Sequence, residues 1–375
     1  MVESTIGQTI ELLHRSLRDY IEAAYHVSNE KLVEQRKALL EELGVIHQRP
    51  YLESTPRYVP GQSFSQIAGL DPAVSEVLSC VTQKSGDLQR LIYDPPFLHQ
   101  AQAVEKVLVT GKNLVVMTGT GSGKTESFLL PILGKLAMEA QHSPSIFREM
   151  PAVRALVLYP MNALVNDQLG RLRLLFGDPR IVGKFKAWAH RPARFARYTS
   201  RTLYPGVRTA SRDQDRLSPL STYYVHHWKA ANNPSSPEHE QSKKLVAVLK
   251  EKGKWPAKPN IAEWFGESGS RWQGKDGSYK RCVTLEDDPE LLTRHEVQEA
   301  PPDILVTNYS MLEYMLMRPL ERPIFDYTRD WLEANPKERF LLVLDEAHLY
   351  RGAAGAEVAL LLRRLRTRLN LGPER

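Results

Sequence analysis

The chain has 375 residues, 42% hydrophobic and 25% charged, a composition that fits a soluble globular protein of two or three domains. No apolar run reaches the roughly 18 residues of a membrane span, and the opening MVESTIGQTIELLHRSL lacks the basic-then-apolar order of a secretory signal, so a cytoplasmic protein is expected, with no membrane partner. Cys80 and Cys282 are the only cysteines, which excludes a disulfide framework or a four-thiolate zinc site, while a formal charge of +6 and a pI near 9.1 admit an anionic partner without requiring one.

Residues 1–90 are expected to form an N-terminal accessory region. Ile6, Ile10, Leu13, Leu17 and Ile21 recur at helical spacing, and NEKLVEQRKALLEEL (29–43) predicts a second amphipathic helix. RPYLESTPRYVPGQSF (49–64) then breaks the pattern with three prolines and reads as an extended arm. From residue 91 short apolar runs alternate with helical stretches: NLVVM (113–117), RALVLY (154–159), DILVT (303–307) and FLLVLD (340–345). Runs apolar on both faces are what a parallel sheet covered by helices needs, so the fold class is α/β, doubly wound, over 91–217 and 301–375. Between them, 218–300 is polar and carries Trp228, Trp255, Trp264 and Trp272, an insertion whose tryptophans argue against simple disorder.

Two motifs carry chemistry. The strand NLVVM, the loop TGTGSGKT (118–125) and the helical ESFLLPILGKLAMEA form the strand, loop and helix context of a phosphate-binding P-loop. Gly121 and Gly123 let the backbone wrap phosphates, Lys124 reaches the β- and γ-phosphates, and Thr125 ligates magnesium. ATP contacts are accordingly expected from Thr118, Gly119, Thr120, Gly121, Ser122, Gly123, Lys124, Thr125 and Glu126. In LLVLDEAHLY an acidic pair ends an apolar strand, placing Asp345 to hold the same magnesium as Thr125 and Glu346 to polarise water, with His348 following. Between Arg171 and Arg216 twelve Lys or Arg face three Asp, with Phe185, Trp188, Phe195, Tyr198 and Tyr204 among them, a pattern suited to gripping phosphates and stacking bases. Its plainer alternative is a solvated loop with core aromatics.

Together, TGTGSGKT and DEAH (345–348) resemble the DEAD/DEAH-box helicases of superfamily 2, whose P-loop variant opens with Thr as Thr118 does here. The resemblance implies a RecA-like ATP-binding domain, ATP and Mg2+ as cofactors, and a catalytic set of Lys124, Asp345, Glu346 and His348. PPFLHQAQAV (95–104) is similar to the adenine-recognition segment, which carries Gln100 onto the adenine edge and Phe97 near its ring. YPMNALVNDQLGRLR (159–173), YTSRT (198–202) and PPDILVTNYSMLEYML (301–316) resemble motifs Ia, Ib and Ic of the nucleic-acid track. On that basis Pro160, Asn162, Asn166, Gln168, Arg194, Arg197, Thr199, Arg201, Thr307, Asn308 and Tyr309 are expected to meet nucleic acid. The motif wording is closest to large bacterial helicases of the Lhr/Hrq-like group, including those of anti-phage defence islands.

The expected function is an ATP-dependent helicase or translocase, this chain forming its first motor lobe, with DNA favoured over RNA. A second RecA-like domain, in a longer chain or a partner subunit, is the expected source of the arginine finger. The alternative is a non-catalytic, ATP-gated nucleic-acid-binding module working with a partner. A P-loop kinase or transporter ATPase is disfavoured by DEAH and the motif Ia wording.

Overall fold

The computed structural model describes residues 5–48, 57–86, 88–119, 121–203, 220–265 and 284–372. Thr120, Tyr204, the basic residues Arg208, Arg212 and Arg216, Trp272 and Cys282 lie outside them. The chain divides into two compact units, residues 1–57 and 58–375. In the first, α1 (Ile6–Ala24) opens on a capping box, Thr5 and Gln8 each bonding the other's backbone N–H, and α2 (Glu30–Glu41) is capped by Asn29. The boundary expected near residue 90 falls inside the second unit, because Phe64, Val74, Val77 and Leu78 are fully buried in its core.

That unit is built on five parallel strands: β1 (Ala155–Tyr159), β2 (Phe195–Tyr198), β3 (Glu290–Leu291), β4 (Ile304–Asn308) and β5 (Leu341–Leu344), in the order β3-β2-β4-β1-β5. Helices cover both faces, as a parallel sheet requires. Side chains alternate along β1, so Ala155, Val157 and Tyr159 face one core and Leu156 and Leu158 the other. The first face is covered by α3 (Pro72–Ser79), α5 (Glu126–His142), α7 (Asn162–Phe176) and α8 (Pro179–Ala189), α4 (Leu98–Val104) and α6 (Pro144–Glu149) lying beside them. Helix α5 passes close to its neighbours at Gly134, where a Cβ would come within 2.5 Å of Leu108.

Residues 220–265 fold into three helices, α9 (His226–Ala231), α10 (His239–Glu251) and α11 (Ile261–Phe265), around a separate core of Val225, Val246, Trp255, Ile261, Trp264 and Phe265. The buried Lys258 ammonium ties it to Asp288 and to Glu296 of α12 (Arg294–Glu299), at 2.7 and 2.9 Å. The second sheet face is closed by α13 (Tyr309–Met317), α14 (Arg322–Ala334) and α15 (Gly352–Arg368), through Leu312, Trp331 and Leu361.

One expected strand is not formed. Residues 113–117 carry no ladder hydrogen bonds, and Val115 and Met117 are each 88% exposed. An apolar run becomes a strand only when an edge accepts it, and β5 pairs with β1 alone among the described residues.

Candidate ATP and nucleic-acid site

The carboxyl ends of β1, β4 and β5 lie in register, with Leu158 beside both Thr307 and Leu344. Ligands of open α/β sheets bind beyond such ends. The P-loop leads into α5 beside them. Gly121 and Gly123 adopt φ of +76° and +74°, backbone that an L side chain rarely takes. Gly123 has a second constraint, since a Cβ there would stand 2.5 Å from Nε2 of Gln100. The Thr118 and Ser122 hydroxyls, 2.7 Å apart, close the loop on itself.

Gln100 is buried and engaged at both ends: Nε2 donates to the Gly123 carbonyl at 3.1 Å, and Oε1 accepts from the Phe97 backbone at 3.1 Å. One amide hydrogen and one lone pair remain for a base edge. Phe97 is partly exposed and stacks near His99, centroids 5.9 Å apart at 20°, with the Tyr58 ring 5.4 Å away. The Tyr58 hydroxyl lies 2.9 Å from where a Cβ on Gly119 would stand. Tyr58 and His99 are the site residues that sequence reading missed. Tyr58 arrives through the proline-rich arm, pinned by Leu98 N donating to Val59 O (2.9 Å) and Gly61 N to Pro96 O (2.7 Å).

Among the described residues the half-buried Lys124 ammonium has no hydrogen bond or ion pair. Beside the P-loop, buried polar atoms are left over: Oε2 of Glu126 and Oε1 of Gln168 have no partner among the described residues. Buried polar groups are normally satisfied, so a glycine cradle, an unpaired lysine and orphaned oxygens fit a phosphate chain with a hydrated cation. Thr125 would hold that cation from the P-loop side, and Asp345 is the carboxylate at the end of β5.

Asp345 continues the β5 ladder, its N–H donating to Leu158 O at 3.1 Å, and its Oδ1 accepts from Glu346 N at 2.8 Å. Glu346 sits at φ +50°, a left-handed conformation that reverses the chain sharply after the strand. Its carboxylate lies 3.3 Å from Nδ1 of the exposed His348. The Tyr159 hydroxyl is buried beside Asp345; burial first, then that carboxylate, drives its pKa upward. Burial, with Tyr309 and Asp345 nearby, likewise pushes Tyr350 up to about 12.

The three track motifs meet along the same edge. Asn308 caps α13 through Met311 N (2.7 Å) and donates from Nδ2 to Asn162 Oδ1 (2.6 Å) at the start of α7. One turn on, Asn166 accepts from Arg197, whose guanidinium also reaches the Arg201 carbonyl at 3.4 Å. Pro160 and Tyr309 are half-buried beside these residues in sequence, and Arg201 is exposed. Thr199 and Thr307 are buried, Thr199 Oγ1 accepting from Arg201 N and Thr307 donating to Tyr198 O at 2.6 Å, so they brace the edge from within. Gln168 faces the P-loop: its Nε2 stands 3.5 Å from Thr125 Oγ1, and Arg171 pairs with Glu126 at 3.0 Å.

Arg194 is not part of this rim. It precedes β2, at the opposite end of the sheet, where its N–H donates to Asp303; burial, and then Arg191, depress its pKa. Most of the described part of the basic stretch is neutralised. Arg173 pairs with Glu290, Arg180 with Asp178, Lys184 with Glu76, Lys186 with Asp287 and Arg191 with Asp303. Phe185, Phe195 and Tyr198 are buried and offer no stacking surface, and Trp188 packs against the core while partly exposed. The described part of the stretch is therefore structural, apart from Arg197 and Arg201.

Residues 97–195 match the family model described as DEAD/DEAH box helicase. Nearly the whole chain, 99% of it, is 45% identical to the Druantia protein DruE of Escherichia coli (strain UMEA 4076-1), of which it covers 20%. A 139-residue stretch, 37% of the chain and 17% of the relative, is 33% identical to the ATP-dependent RNA helicase DBP7 of Meyerozyma guilliermondii. Another of 102 residues, 26% of the chain and 20% of the relative, is 41% identical to the DEAD-box ATP-dependent RNA helicase 41 of Arabidopsis thaliana. The chain thus spans about a fifth of the length of these relatives. No solved structure matches it, and among the described residues no helix is long and apolar enough to cross a membrane. The P-loop lies within residues 97–195, the stretch that is similar to the DEAD/DEAH box helicase family model.

Proposed function

We propose that this chain is the ATP-binding motor lobe of a nucleic-acid helicase or translocase. The observation that carries the reading is the meeting, at one sheet edge, of a phosphate cradle with an unpaired lysine and a polar rim drawn from three separate segments. Bound MgATP supplies a cleavable phosphoanhydride and a cation that neutralises its charge. Lys124 would place an ammonium against the phosphates, Thr125 and Asp345 would hold the cation, and Glu346 would polarise the attacking water. Asn162, Asn166, Arg197 and Arg201 present donors to phosphate oxygens, which position a strand without reading its sequence. A second RecA-like domain, and anti-phage defence as the setting, are the extensions that the resemblance supports. DNA is favoured over RNA on motif wording, although two of the relatives are named RNA helicases.

Two titrations test the reading. Calorimetry with MgATP should show binding that Lys124→Ala weakens about tenfold or more without changing the melting temperature, because a charged partner to phosphate is lost from an otherwise intact loop. Unchanged affinity would remove the P-loop assignment. Single-stranded DNA and RNA of equal length should bind with log affinity falling against log salt by about 0.7 per phosphate contact. Arg197→Glu with Arg201→Glu should flatten that slope, and salt-independent binding would count against the rim.

A further inference from the structure

We infer that the helical insertion contains a transition-metal site formed by His226, His227 and Glu238. One ring nitrogen from each histidine and one carboxylate oxygen of Glu238 all lie within 4.8 Å of one another. His226 Nε2 and Glu238 Oε2 are 2.8 Å apart. Zn2+ holds nitrogen at about 2.0–2.1 Å and carboxylate oxygen at about 2.0–2.2 Å, so tetrahedral donors stand about 3.3–3.5 Å apart.

Neighbouring residues on a helix point about 100° apart, which ordinarily parts adjacent imidazoles. Here the pair opens α9, and the rings meet edge to face with centroids 5.1 Å apart at 72°. His227 is held from behind. Its Nδ1 lies 3.0 Å from the hydroxyl of Ser242, a buried residue of α10, which leaves Nε2 as the coordinating nitrogen. Metal-bound histidines are oriented in this way by a bond to the other ring nitrogen. The Tyr223 ring packs edge-on against the same imidazole at 5.1 Å. Two imidazoles and one carboxylate suit Zn2+, Ni2+ or Cu2+, whereas Mg2+ and Ca2+ want oxygen donors, of which this cluster offers too few. His226 and Glu238 are exposed, so an ion enters from solvent and water completes its shell. Joining the start of α9 to the residue just before α10, the ion acts as a staple across the loop between them.

His239 is a built-in control. It adjoins Glu238 in sequence, but its Nδ1 bonds the Ala230 carbonyl at 3.2 Å. Calorimetry of the untagged, nucleotide-free chain with Zn2+ should show about one ion bound per chain and none under the same conditions with Mg2+. His226→Ala, His227→Ala and Glu238→Gln should each weaken Zn2+ binding about tenfold or more, His239→Ala should leave it intact, and Zn2+ should raise the melting temperature of the wild type and of His239→Ala by more than that of the other three variants. Circular dichroism secures the comparison, and if His227→Ala disturbs the helices the exposed Glu238→Gln carries the test. Absence of Zn2+ binding, or binding that survives all three substitutions, would overturn the assignment.

Discussion

The two ends of the sheet are built on opposite principles. At the amino ends of β1, β2 and β4 the polar groups are buried and, apart from Nε of Arg194, closed on one another. Arg154 donates to both oxygens of Glu139 at 2.7 Å and to Asp303 at 2.9 Å; Asp303 also takes Arg191 and the Arg194 N–H, and Trp331 Nε1 donates to Glu139. At the carboxyl ends polar groups are open: Gln168 and Glu126 each leave a buried atom without a partner among the described residues. The first end spends its charges on itself and fixes the strands. On the proposed reading the second leaves them for a ligand, which separates the residues that hold the fold from those assigned to chemistry.

The contrast is broken most severely at Asp303. Removing one member of a buried charge network leaves the others desolvated and unpaired, at a cost of about 3–5 kcal/mol. Asp303→Ala should lower stability by that amount in chemical denaturation, and a loss below about 1 kcal/mol would show that the network is dispensable. The pH dependence has a definite sign. Arg191 and Arg154 hold the Asp303 carboxyl below its usual range against the opposing effect of burial. Its contribution is complete above the unfolded carboxyl pKa and is lost as pH falls through the folded one. Asp303→Asn should therefore flatten the acid limb of the stability curve.

At the open end, substitution should separate binding from folding. Asp345→Ala should remove the magnesium dependence of ATP binding, and Glu346→Gln should keep that binding while abolishing hydrolysis by any assembly that hydrolyses ATP. Neither should move the melting temperature by more than the equivalent of about 1 kcal/mol, since both groups are half-exposed. A large loss of stability at Asp345 would make the two ends alike. The smallest effect belongs to Met117, where Met117→Ser should change stability by less than about 0.5 kcal/mol; a larger loss would mean that 113–117 pairs as a strand in solution.

Sequence pattern located β1, β4 and β5 because each is a run of aliphatics buried in a parallel sheet. It missed β2 and β3, whose FARY and EL are too short and too polar to stand out; pairing with β4 supplies what local propensity lacks. The P-loop and DEAH were legible because glycine spacing and an acidic strand end are local signals. The fate of the basic stretch was not. Arg173 meets Glu290 across 117 residues, and Arg191 meets Asp303 across 112, so a charge count within one window could not see the carboxylates that neutralise it. Gln168 shows the same limit at the site: helical spacing places it on α7 without saying that it faces Thr125 rather than the track.

The unpaired side of β5 has a consequence for handling the protein. A parallel strand paired on one side only among the described residues, with an exposed Leu342, offers backbone donors and acceptors to any chain that can lie beside it. Concentrated solutions should therefore build intermolecular β-structure from this side, with turbidity and thioflavin fluorescence rising together, and a lysine in place of Leu342 should postpone both.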